Sequence, residues 1–156
     1  MSCSGLQVIG LCALLNLFSS LSSAAQGDAL ARYPPETLRK EATTVVLPMY
    51  PRSMLSLNKG GLVVVSVIVA PDGHVQSVQD LDSCDAAALD SVRSAVSRWQ
   101  FTAIPRTSPF RDARRTTKLL FLFRLTDGRP TVVDLVAAEI ESRGGKLTAA
   151  SLEGGH

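Results

Sequence analysis

Nine residues, LVVVSVIVA (Leu62 to Ala70), limit the folds open to this chain more than any other stretch. Branching at Cβ stiffens χ1 and disfavours helix, so a run this rich in valine and isoleucine reads as a strand. Gly60-Gly61 breaks the chain before it, and Pro71-Asp72-Gly73 follows as a turn. Pro fixes φ, Asp bonds the nearby backbone and Gly takes positive φ. His74 to Leu81 then reads as the returning strand of a hairpin.

Helical spacing comes next. Ser83 or Asp85 is a candidate cap, followed by Ala86-Ala87-Ala88. Leu89, Val92, Val96 and Trp99 share one face to about Trp99. Trp99-Gln100-Phe101 then alternates as extended chain does, delivering an indole and a phenyl ring to one core. Burial of two such rings is worth about 4–6 kcal/mol. After a loop holding Pro105 and Pro109, TKLLFLFRL (Thr117 to Leu125) reads as a third strand, and Asp127-Gly128 as a turn. Thr131 to Val136 fits a short fourth strand, while Val132, Leu135, Val136 and Ile140 also fit a helix to about Arg143.

The expected fold is therefore α+β, a small antiparallel three-stranded sheet with one helix on one face, in β-β-α-β order. The expected divisions are residues 1–25, a polar lead-in at 26–46 with one helical turn at Glu36 to Lys40, a domain at 47–136, and a C-terminal helix or tail at 137–156. Tyr50-Pro51 forms an extended approach, with a short helix from Arg52 to Leu57. The expected core comprises Tyr50, Pro51, Val63, Val65, Val67, Val69, Gly73, Leu89, Val92, Val96, Trp99 and Phe101.

Met1 to Gly27 carries no charged side chain, Leu6 to Leu21 is apolar, and Ser22-Ser23-Ala24-Ala25 offers small residues. A secretory signal peptide is the expectation, with an uncleaved N-terminal anchor as its alternative. Cleavage would remove Cys3 and Cys12, leaving Cys84 without an internal disulfide partner; it reads as a small buried residue. The formal net charge of +2 and sparse aromatics point away from nucleic acid. No nucleophile–base set, metal-ligand cluster or phosphate loop is visible, so neither catalysis nor a cofactor is expected. Asp80, Asp82, Asp85 and Asp90 match no calcium loop; they complement the helix N-terminus. Arg111, Arg114, Arg115 and Lys118 make a basic cluster that reads as a solvated loop.

Tyr50-Pro51, the glycine-led valine strand, Pro71-Asp72-Gly73 with Val75 behind it, the helix ending in Trp99 and Phe101, and an aromatic-aliphatic strand occur here in order. Over about Leu47 to Val136 this set resembles the C-terminal domain of the TonB energy transducers. The resemblance implies a non-catalytic protein-binding module in the periplasm of a Gram-negative envelope. Its partner would be a TonB-box-like segment of an outer-membrane transporter, added as a strand in TonB-dependent transmembrane transport.

By position the docking edge is Thr117, Lys118, Leu119, Leu120, Phe121, Leu122, Phe123, Arg124 and Leu125. An edge strand has unpaired N–H and C=O groups that an extended peptide can satisfy. Full transducers also carry an anchor helix with a functional histidine and a long proline-rich spacer. Met1 to Ala25 holds no histidine, and the chain from there to Tyr50 holds only Pro34, Pro35 and Pro48.

The outer sheet face is unusually apolar for one open to water. Leu62, Val64 and Ile68 lie there with Leu120 and Leu122. The C-terminal segment from Val132 to Ile140, the lead-in, or a second copy is expected to cover it. The alternative function follows from the last of these: a self-associating, structural envelope subunit, a homodimer without energy transduction. Membrane contact is expected only through residues 1–25, if they are retained.

Overall fold

The computed structural model describes residues 30–147. The expectations for the N-terminal segment and for the tail beyond Leu147 lie outside the described residues. No described helix is long and apolar enough to cross a membrane.

The valine run forms strand β3 (Gly61–Val69), and the chain returns as β4 (Val75–Ser83), each of nine residues. The turn works through the groups its sequence supplies. Asp72 Oδ1 accepts from the His74 amide at 3.0 Å, and the Ala70 amide donates to His74 O at 2.9 Å. Gly73 adopts φ +94°. An ideal Cβ there would lie 2.0 Å from Phe101 O. The Phe101 amide donates to Gly73 O at 2.9 Å, so the turn is tied to the segment leaving the helix.

That helix, α3 (Ala86–Val96), is capped by Asp85, which accepts from the Ala87 amide at 2.9 Å. It ends three residues before the expected Trp99. The Arg98 and Trp99 amides donate to carbonyls three residues back, Ala95 and Val96, and this tighter turn swings the indole inward. Ala88, Leu89, Val92 and Val96 bury against Val63, Val65, Val67 and Val69. The alternating stretch after Trp99 is a two-residue strand, β5 (Gln100–Phe101).

The expected third strand is longer than its apolar run: β6 spans Arg114–Thr126, thirteen residues. Its extension at the N-terminal end, residues 114–116, is polar, with Arg115 and Thr116 buried. Asp127 and Gly128, both at positive φ, make a two-residue turn into β7 (Arg129–Asp134). Both readings of the following segment hold in succession, because Asp134 ends the strand and caps a helix, α4 (Leu135–Ser142).

The fold is α+β, as expected, with the short fourth strand present as β7 and further elements beyond the three or four strands and one helix expected. The main sheet has five strands and is mixed. The difference comes largely from the lead-in, which is not outside the fold. It forms β1 (Leu30–Arg32), α1 (Pro35–Lys40) and β2 (Ala42–Thr44). β1 joins the main sheet parallel to β6, while β2 pairs with β5 in a separate two-stranded sheet. Leu38, Ala42 and Val45 are core residues. Short elements with few apolar residues carry little periodic signal, which is why this segment reads as polar.

Trp99 gathers these parts. Its Nε1 donates to Val46 O at 2.8 Å, and its ring lies 6.0 Å from Phe121 at 80° and 6.2 Å from Phe101. Tyr50, at the other end of the core, packs edge-on against Phe123 at 5.6 Å. It follows a short approach through Pro51 into α2 (Arg52–Ser56).

Gly73→Ala is expected to lower stability by about 2 kcal/mol or more, combining positive-φ strain with a clash against backbone. Urea unfolding checks this; a loss within about 0.5 kcal/mol would mean the turn relaxes freely.

Candidate docking strand

Every strand edge in the sheet can be examined as a template for an added strand. The strand order is β1, β6, β3, β4, with β7 also paired to β6. β4 therefore forms one outer edge. Its register against β3 shifts twice, between Val64 and Val65 and between Ile68 and Val69, leaving Leu81 and Gln76 as extra residues. Bulges of this kind twist an edge away from further pairing. β7 carries Pro130, which has no amide hydrogen to donate, and β1 has only three residues. All three outer strands are thus blunted.

β6 is different. It pairs with β3 over nine successive residues, from Arg115 to Phe123, without a register shift. The expectation that Thr117–Leu125 is an outer edge does not hold, because β6 lies inside the sheet. On the side away from β3, β1 pairs with Arg114–Thr116 and β7 with Phe121–Thr126. The three-residue β1 is too weakly patterned to reveal this, and the segment that forms β7 fits a short strand and a helix alike in sequence. Between them Thr117, Lys118, Leu119 and Leu120 face no strand among the described residues. α1 and α4 pack there instead, and Thr117 Oγ1 donates to Tyr33 O at 3.0 Å.

The side chains of the strand divide by face. Leu119, Phe121 and Phe123 are core, and Thr117 is buried; Lys118 and Arg124 are exposed on the outer face, with Leu120 and Leu122 half-buried beside them. Leu125 lies opposite Pro130. Docking by pairing at β6 would therefore use its backbone, with outer side chains for selectivity.

One buried ion pair holds the covering pieces together. Arg39 on α1 donates from Nε to Asp134 Oδ2 at 2.7 Å, and both side chains are 4% exposed. Asp134 Oδ1 accepts from the Val136 and Ala137 amides at 3.0 and 3.1 Å. The Arg39 guanidinium lies 5.0 Å from the Trp99 ring centre, and its Nη1 is buried without a hydrogen-bond partner. One carboxylate thus ends β7, starts α4 and ties both to α1. Sequence reading missed this pair. Asp before an apolar helical run is a recognisable cap, but nothing local marks Arg39 as its partner.

The other polar expectations separate. Arg115 is buried, with Nη1 at 2.6 Å from Glu41 Oε2 and Nη2 at 2.8 Å from Thr102 O, while Arg111 pairs with Asp112 at the surface. The basic cluster is therefore not one patch. Cys84 is exposed rather than buried, though it abuts Gly61, where an added Cβ would come within 2.6 Å of the sulfur. Desolvation raises its thiol pKa, with the Asp85 and Asp82 charges adding to the shift. α1 and α4 cover part of the apolar outer face, framing a cleft of about 420 Å³ beside Leu120.

The model of the Gram-negative bacterial TonB protein C-terminal matches residues 46–125. The chain belongs to the TonB C-terminal family. The match runs from Val46, the acceptor of the Trp99 hydrogen bond, to the end of the aromatic strand. β1, α1, β2, β7 and α4 lie outside it and frame the matched core on both sides. The solution NMR structure of the Pseudomonas aeruginosa TonB C-terminal domain is similar at 28% identity and a TM-score of 0.46. That similarity covers 56% of this chain and 88% of the other. No curated protein matches.

Asp134→Ala is expected to cost about 3–5 kcal/mol, because it strands a buried guanidinium and removes a helix cap. Asp134→Asn, which can still cap, should cost about 1 kcal/mol less; equal losses in urea unfolding would count against the capping role. Cys84 should alkylate slowly at neutral pH despite its exposure. Its rate should climb as pH passes the ordinary thiol range, since a raised pKa keeps the unreactive thiol form. Rapid neutral labelling by iodoacetamide would contradict that assignment.

Proposed function

We propose that this chain is a non-catalytic periplasmic protein-binding module that captures an extended, TonB-box-like segment of an outer-membrane transporter by strand addition at Thr117–Leu125 of β6. The observation that carries this reading is the contrast between edges. β6 is long and regular, yet among the described residues its second edge is paired only with β1 and β7, and α1 and α4 pack over the unpaired stretch between them.

Binding proceeds by exchange. An incoming strand takes the place of β7 along Phe121–Leu125, where its backbone bonds replace those of β7, and continues along the unpaired Thr117–Leu120. The net preference then rests on side chains and on the loop entropy released. β7 is suited to leave, since Pro130 offers no amide hydrogen and Arg129, Pro130 and Thr131 are exposed. Its far end is held through Asp134, so exchange starts from the Asp127-Gly128 turn and runs toward that anchor. Family membership supports a protein partner in the Gram-negative envelope and a periplasmic setting.

The test is a covalent lock. Arg124 and Thr131 are register partners on β6 and β7. In a background with Cys3, Cys12 and Cys84 replaced by Ser, Arg124→Cys with Thr131→Cys should form a disulfide under oxidation. A synthetic TonB-box peptide is expected to bind the reduced form and to lose at least about tenfold in affinity on oxidation, a difference of about 1.4 kcal/mol. Equal binding by both forms would exclude exchange at this part of β6.

A further inference from the structure

The outer face of the main sheet has a charge pattern that extends well beyond the docking strand, onto β1 and β7. Register partners lie side by side on one face, so the pairing lays the face out in rows. Leu62, Leu122 and Val133 form one row, and Val64 and Leu120 the next. Beyond them lie Ser66 with Lys118, then Ile68, Thr116 and Arg32. In the opposite direction come Arg124 with Thr131, then Thr126 with Arg129. An apolar middle is thus bracketed by cations at both ends.

Exposure and pairing make this more than a pattern. Leu62 is 36% exposed, Leu81 49% and Leu30 46%. Arg32, Lys118, Arg124 and Arg129 are exposed and form no ion pair among the described residues. Asp82 is the acidic residue on the strands of this face, with Asp127 in the turn, and Glu36 on α1 and Glu139 on α4 at its margins beside Leu120, Glu139 being paired with Arg143. A groove of about 580 Å³ runs across this face from β1 to β4. Arg32 and Lys118 stand on its walls, and Ile68 and Leu81 line it.

We propose that this face docks on a bilayer rich in anionic phospholipid, with leucines entering the interface and the four unpaired cations meeting headgroup phosphates. Apolar side chains beside unpaired lysine and arginine supply both terms of such binding, area removed from water and attraction to anionic lipid. A second copy fits poorly, because a two-fold contact sets these cations against their own kind. An acidic protein would satisfy the charges. However, the face presents leucine and valine without an aromatic anchor at its centre, where protein interfaces concentrate their energy. The chain's course agrees. Leu30 lies on this face only five residues after Ala25, at most about 18 Å of extended chain. Where the apolar N-terminal segment stays in a bilayer, the face is held beside it.

The experiment uses the full chain with Cys3, Cys12 and Cys84 replaced by Ser. An environment-sensitive fluorophore is placed at Leu62→Cys, or at Ser94→Cys on the exposed side of α3 as a control. The N-terminal segment can insert in any vesicle, but only docking of this face desolvates the Leu62 label. With vesicles of phosphatidylglycerol and phosphatidylethanolamine, the Leu62 label should shift to the blue and the Ser94 label should not. Pure phosphatidylcholine should give little shift. Lys118→Glu with Arg124→Glu should weaken the response by roughly tenfold or more, since each basic residue near such a surface is worth about fivefold. An unchanged Leu62 label, or an equal shift on phosphatidylcholine, would overturn the proposal. A shift that follows protein concentration without vesicles would assign the face to a second copy. A shift with poly-glutamate but not with vesicles would assign it to an acidic protein.

Discussion

The indole of Trp99 is the contact on which the other parts converge. Its nitrogen is bonded to the Val46 carbonyl, its faces meet Phe101, Phe121 and the Arg39 guanidinium, and it is 1% exposed. Each partner belongs to a different element: the approach to Tyr50, the short β5, the long β6 and α1. A smaller side chain would leave a cavity and an unsatisfied carbonyl together, two penalties that add at one position. The single tryptophan fixes how α3 ends, where the lead-in runs, and which face of β6 is inward.

Around that contact the sheet treats its edges unequally. Where a strand is outermost it is bulged, interrupted by proline or cut to three residues. Where a strand is long and regular it is covered, though by segments that make few pairs. Soluble sheets need such management, because open edges recruit further strands. The same physics underlies the exchange proposed for β6, an external strand in place of a weak internal one. The buried Arg39–Asp134 pair would limit how far such an exchange runs, since the guanidinium and carboxylate would both meet a large desolvation penalty if separated within the core.

How much was legible in the chain follows from the kind of signal each part carries. Val63 to Val69 alternate between a filled face and a half-open one, and Pro71-Asp72-Gly73 and Asp127-Gly128 specify turns by local chemistry. Such features are read from neighbouring residues. Helix α3 was placed by its cap and periodicity but drawn too long, because the pattern of apolar residues continues through a turn whose hydrogen bonds have already changed. β1 was invisible, since Leu30-Ala31-Arg32 is three residues in a polar setting and acquires its conformation only from β6. For the candidate site, the strand was legible, its hairpin neighbour β7 only as one of two readings, and β1 not at all. Nothing in Thr117–Leu125 reports which segments lie alongside, and the partnership of Arg39 with Asp134 depends on residues far apart in sequence.

That distance has a consequence for the order in which the molecule assembles. The hairpin of β3 and β4, helix α3 and the β6–β7 hairpin close short loops, and such contacts form first. Thr117 bonds Tyr33 across 84 residues, and Arg39 meets Asp134 across 95. These must wait until β6 and β7 exist and are aligned. In a chain that emerges from its N-terminal end, β1 and α1 appear first yet dock last. They form the final cooperative unit to settle and, by the same token, the first to open in native-state hydrogen exchange. The amides of Leu38 and Glu41 should therefore exchange ahead of those in β3, although Leu38 is as deeply buried as any valine of that strand.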